Sequence, residues 1–130
     1  MKLLLDTHAF LWWLRDDKSL GVAARRAIEA PENIVLVSAA SAWEIATKRA
    51  RGKLPGLPRA GDIEEWIERS GCTPLAITVG HAVASAQLPL HHRDPFDRLL
   101  IAQAQAEDAM LVASDPQIAR YRVKLLDAAA

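Results

Sequence analysis

The chain has 130 residues, 51% hydrophobic and 25% charged, with 16 basic side chains balancing 16 acidic ones. That length and composition describe one globular domain, residues 1–130, with a substantial core, and the even balance excludes bulk charge as the source of any nucleic-acid affinity. The lone cysteine, Cys72, excludes an internal disulfide and a cysteine-rich zinc site, and is expected to be a buried, inert thiol.

The opening Met-Lys-Leu-Leu-Leu-Asp has too short an apolar stretch for a signal peptide, and no run approaches the roughly 20 residues of a membrane span, so a cytoplasmic protein without membrane contact is expected. Strands are expected at 2–5, 33–37, 74–77, 110–114 and 123–126, short runs of nearly continuous apolar character. Continuous rather than alternating hydrophobicity belongs to strands covered on both faces, as in a parallel sheet. Helices are expected at 7–15, 20–30, 39–51, 62–69, 78–87 and 97–107, the fourth marked by Ile63, Trp66 and Ile67 on one face. This alternation predicts an α/β layered domain. Two stretches read as irregular: 52–61, a rigid connection rich in glycine and proline, and 88–94, a polar histidine-containing loop running into Asp97.

Four acids fall just after strand-like runs or on the helices that follow them: Asp6, Glu44, Asp97 and Asp115. In an open parallel sheet, the carboxyl ends of the strands share one crevice, where such folds place their ligands. Carboxylates meeting there raise one another's pKa, and a hard divalent cation with oxygen ligands, Mg²⁺ or Mn²⁺, relieves the repulsion. That arrangement suits metal-assisted phosphodiester hydrolysis. Each acid also has a local reading. Asp6, Asp94 and Asp115 fit helix caps, the last two followed by proline at the first helical position, and Ser41-Ala-Trp-Glu44 matches a capping box. Glu44 can instead pair with Lys48, four residues on, for about 0.3–0.5 kcal/mol.

The order and context of these acids resemble the PIN-domain ribonucleases, in particular toxins of the VapBC type of toxin–antitoxin system. The matching pieces are Leu-Leu-Leu-Asp6-Thr7-His8, Ser41-Ala-Trp-Glu44-Ile45-Ala46, His92-Arg93-Asp94-Pro95-Phe96-Asp97-Arg98-Leu-Leu-Ile-Ala-Gln-Ala and Leu-Val-Ala-Ser114-Asp115, which together span nearly the whole chain. The resemblance implies a PIN-like three-layer α/β/α fold around a mainly parallel sheet of about five strands. It also implies an endoribonuclease in which Asp6, Glu44, Asp97 and Asp115 hold Mg²⁺ or Mn²⁺, with RNA as substrate and a cognate antitoxin as partner. Asp97, which directly precedes the apolar helix, takes the ligand role, and Asp94 is left as cap or outer acid.

Thr7 and Ser114 offer hydroxyls to the same crevice, although a strand-end hydroxyl bonded to backbone is an equal reading. Lys48, Arg49, Arg51 and Lys53 either contact RNA phosphate or complement the end of their helix, and Arg98 either pairs with a carboxylate or reaches a phosphate. His91 and His92 are read as loop histidines without a ligand role. Trp12 and Trp13 fill core or form a contact surface for a second copy or a partner protein, a homodimer being expected. Two rival classes remain: an aspartate-based phosphatase or phosphoacceptor domain, and a non-catalytic binding module whose acids are caps. The first usually wants a second acid one or two residues after the strand-one aspartate, where Thr7 and His8 stand.

Overall fold

Leu3, Leu4 and Leu5 are all fully buried although neighbours along a strand face opposite sides of a sheet, so this strand is covered twice. The structure, a computed structural model, describes residues 1–52 and 59–130. In it the strands are β1 (Lys2–Leu5), β2 (Ile34–Ser38), β3 (Thr73–Leu75), β4 (Met110–Ala113) and β5 (Leu125–Asp127). All pairings are parallel and the sheet order is β3-β2-β1-β4-β5, with Leu4 opposite Leu36 on one side and Leu111 on the other. The described helices are α1 (Thr7–Leu14), α2 (Val22–Glu29), α3 (Ala39–Ala50), α4 (Ile63–Arg69), α5 (Val79–Gln87) and α6 (Pro95–Glu107).

The two faces have separate cores. Leu3, Leu5, Val35, Val37 and Val112 pack with Phe10 of α1, Ala24 and Ile28 of α2, Ile45 of α3 and Ile63 and Ile67 of α4. Leu4, Leu36 and Leu111 pack with Leu100, Ile101 and Ala104 of α6 and with Ile118 and Tyr121. The expected three-layer α/β/α arrangement is therefore present. Cys72 is buried in the first core, where burial pushes its thiol pKa up. Trp12 and Trp13 pack half-buried against the same core, and the Trp13 indole donates to Ser70 O at 2.9 Å, which favours the core reading of this pair.

Element ends differ from expectation where local signals compete. β3 is shorter and earlier than 74–77, and β5 is shifted two residues along. Short 3-10 turns at Ala60–Asp62 and Pro116–Arg120 carry no apolar period and were not expected. Helix α3 starts at Ala39 with Ser38 as its cap, accepting from Ala40 N at 2.9 Å. The capping box at Ser41 is therefore absent: Ser41 is an interior residue with a buried, unpartnered hydroxyl, and Glu44 lies one turn inside the helix. The irregular connection at 52–61 falls mostly outside the described residues, as does Lys53. Gly21 is required by close approach, because a Cβ there would lie 1.9 Å from the carbonyl oxygen of Ala130.

Candidate metal centre

The register sends β1, β2 and β4 to one end of the sheet, where Asp6, α3 and Asp115 follow them directly. Helix α3 touches both α1 and α6, so Glu44 on α3 and Asp97 in the first turn of α6 face the same opening. The result is a cavity of about 320 Å³ lined by Asp6, Thr7, His8, Glu44, Asp94, Asp97, Ser114 and Asp115. All four acids expected to meet do so, together with Thr7, Asp94 and Ser114. A second, apolar cavity lies between α3, α4 and β3 and shares none of these residues.

Three of the acids are caps as well. Asp6 accepts from Ala9 N at 2.8 Å, Asp94 from Phe96 N at 2.9 Å and Asp115 from Gln117 N at 2.9 Å, each through Oδ1. Each bond uses one oxygen and leaves Oδ2 for the cavity. Glu44 lies 3.2 Å from Lys48 Nζ, so the i,i+4 ion pair forms while Glu44 also lines the cavity. Lys48 therefore pairs with an acid of the site.

The electrostatics are those of carboxylates confined without enough countercharge. Asp6 is buried, and its pKa is pushed up to about 7, chiefly by desolvation and then by the charges of Asp97, Glu44 and Asp115, against the lowering effect of the Ala9 N–H. Asp97 is pushed up to about 6, first by desolvation, then by Asp94 and Asp115, with His92 opposing. Carboxyl groups raised towards neutrality by burial and by one another's charge fit a divalent ion with oxygen ligands, whose charge would favour their ionised form.

One neighbour of these acids is a histidine of the loop that precedes α6. His92 Nε2 lies 2.9 Å from Asp97 Oδ2 and 2.9 Å from Asp115 Oδ2, so the histidine expected to be a loop residue without a ligand role stands against two of the acids. The only hint in the sequence is that its polar loop leads into Asp97. Arg98 is corrected in the other direction. Its Nη1 and Nη2 donate to the carbonyls of Ser85, Leu88, Pro89 and His92 at 2.9–3.4 Å, which ties them to the end of α5 and the loop after it and not to a carboxylate. Arg51 caps the end of α3 and is exposed, and Arg49 lies in the last turn of that helix.

The PIN domain family profile matches residues 3–124, so the chain belongs to the PIN-domain family. Ribonuclease VapC22 of Mycobacterium tuberculosis is 28% identical over 123 residues, which cover 92% of each chain. Ribonuclease VapC16 of the same organism is 40% identical over 58 residues, 44% of this chain and 41% of its own. Among solved structures, VapBC2 of Rickettsia felis bound to a DNA fragment from its promoter superposes with a TM-score of 0.71 at 15% identity, covering 97% of this chain and 98% of the other. FitAcB of Neisseria gonorrhoeae gives 0.62 at 16% identity, covering 96% of both. These two show the shared fold. Among the described residues no helix is long and apolar enough to cross a membrane.

Proposed function

We propose that the protein is a metal-dependent endoribonuclease of the cytoplasm and the toxin half of a type II toxin–antitoxin pair, hydrolysing RNA phosphodiester bonds with Mg²⁺ or Mn²⁺ held by Asp6, Glu44, Asp97 and Asp115. The observation that carries this reading is the convergence of four acids from four separate elements on one cavity, with two of them pushed towards protonation. Structural caps do not need each other's company. Supporting it are the relatives named as ribonucleases and the neighbouring VapBC2 structure, which also supports a cognate antitoxin as partner.

When bound, the ion supplies activation of water and relief of charge on the phosphorus. The chain's own residues do the rest. Asp6 is locked by the Ala9 N–H, so its free oxygen has a fixed direction, and Lys48 pairs with Glu44. Thr7 and Ser114 both line the cavity, which supports a role for their hydroxyls in orienting a phosphate oxygen or a water. Asp94, engaged as the α6 cap, tunes Asp97 by its charge. Arg49, Arg51 and Lys53 remain candidates for RNA phosphate contact near the end of α3. A second copy of the chain is a further proposed partner, supported by Val79 and Val83, one turn apart on α5 and 82% and 52% exposed.

The test is cleavage of a labelled structured RNA by the purified protein, freed of metal with EDTA and then given Mg²⁺ or Mn²⁺. Cleavage should stop in EDTA and return with either ion. Undiminished cleavage in excess EDTA overturns the reading.

A further inference from the structure

We propose that Nε2 of His92 is a nitrogen ligand of the cation held by Asp97 and Asp115, and that this imidazole biases the site towards Mn²⁺ over Mg²⁺. The inference rests on the metal-site reading above and adds a ligand to it.

The geometry is the first support. His92 Nε2 is 2.9 Å from both Asp97 Oδ2 and Asp115 Oδ2, and the three residues offer ligand atoms within 4.8 Å of one another. Adjacent ligand atoms around an octahedral ion at about 2.1 Å stand about 3.0 Å apart. A single N–H cannot point straight at two carboxylates, so the ring hydrogen serves one of them well and the other poorly. A cation among the three atoms serves all of them.

The second support is that the ring is placed by the fold. The Tyr121 hydroxyl accepts from His91 N at 3.1 Å and His92 N at 2.9 Å and donates to Pro89 O at 2.7 Å. Arg98 also donates to the carbonyls of Pro89 and His92. The loop that carries the imidazole is thereby fastened to α6 and to the segment after β4, and the His92 side chain is only 13% exposed. Its other nitrogen, Nδ1, accepts from Asp94 N at 3.3 Å; ligation through Nε2 moves the ring hydrogen to Nδ1, so this long hydrogen bond is given up and the Asp94 N–H has to turn away from the ring.

Chemistry then sets the preference. Oxygen-only sites suit Mg²⁺, Ca²⁺ and Mn²⁺, whereas imidazole suits transition ions, so among these a mixed set favours Mn²⁺. The closing experiment is pulsed electron paramagnetic resonance of the Mn²⁺-loaded wild type, with calorimetric titration of Mn²⁺ and Mg²⁺. A nitrogen coupling is expected in the wild type and in His8→Ala, whose ring also lines the cavity, and absent in His92→Ala. His92→Ala should lose at least about tenfold in Mn²⁺ affinity, as metal sites do when supporting groups are removed, and less for Mg²⁺. Mn²⁺ bound without nitrogen coupling overturns the inference and leaves an oxygen-only site standing. No Mn²⁺ binding overturns the inference together with the reading beneath it. If His92→Ala fails to fold, His8→Ala decides: coupling retained there supports His92 as the ligand, and coupling lost there overturns the inference.

Discussion

Asp115 faces His92 with one oxygen and its own helical turn with the other: Oδ2 is 2.9 Å from His92 Nε2 while Oδ1 accepts from Gln117 N. Asp6 likewise caps α1 through Oδ1 and lines the acidic cavity. Helix capping and service in the site are thus compatible in one carboxylate, and the cap fixes the direction of the oxygen that remains. Substitutions that keep the cap but remove the charge separate the two roles.

Asp97 is the cleanest case, because it is not a cap. Its pKa near 6 reflects burial and the charges of Asp94 and Asp115. Asp97→Asn should therefore stabilise the metal-free protein at pH 8 by about 2 kcal/mol, from roughly two pKa steps at about 1.4 kcal/mol each reduced by partial solvent screening. RNA cleavage should fall on the order of a hundredfold or more. Thermal melts in EDTA check the first half, and a lowered melting temperature would contradict it.

The pH dependence follows in sign. Asp6 near 7 and Asp97 near 6 both lie above the ordinary 3.8, so between about pH 4 and 7 the folded state binds more protons than the unfolded one. Their contribution to stability is full below pH 4 and is lost as pH rises through 6 and 7. Urea unfolding in EDTA at pH 5 and pH 8 should show wild type losing ground to Asp6→Asn, which retains the Ala9 cap, and saturating Mn²⁺ should remove the difference in slope. Parallel behaviour of the two proteins in EDTA would refute this.

Tyr121→Phe should loosen the loop before α6. The lost hydroxyl serves the backbone N–H groups of His91 and His92, and leaving them unpaired costs about 1–3 kcal/mol. Activity should drop while the sheet and its circular dichroism persist. Wild-type activity and stability in this variant would show that the hydroxyl does not position the loop.

Gly21→Ala tests the fold apart from the site. Its Cβ would meet backbone atoms of Ala129 and Ala130, which cannot swing aside as a side-chain tip would. Strain of about 1–3 kcal/mol is expected in denaturant unfolding, with metal affinity unchanged.

The strands were legible because β1, β2 and β4 are buried on both faces and so read as unbroken apolar runs. Helix α6 starts at Pro95, two residues before the expected 97, because the Asp94-Pro95 cap device sets its first turn ahead of the apolar run. The four letters Ser41 to Glu44 fit a capping box as well as the interior of a helix beginning at 39, and the Ser38 cap decides for the interior. The places of His92 and Arg98 were illegible for a physical reason. The His92 backbone is held by Tyr121, 29 residues on, and Arg98 by carbonyls 6 to 13 residues back in an irregular loop and the end of α5; no local period encodes either contact.

The central claim is that the ion held by these acids is the agent of RNA cleavage. The most direct measurement is the cleavage rate across a Mn²⁺ titration in which calorimetry reports occupancy of the site. The rate should be zero without ion, rise in proportion to occupancy, and stay near zero throughout in Asp97→Asn. A rate independent of occupancy, or unchanged in Asp97→Asn, would contradict it.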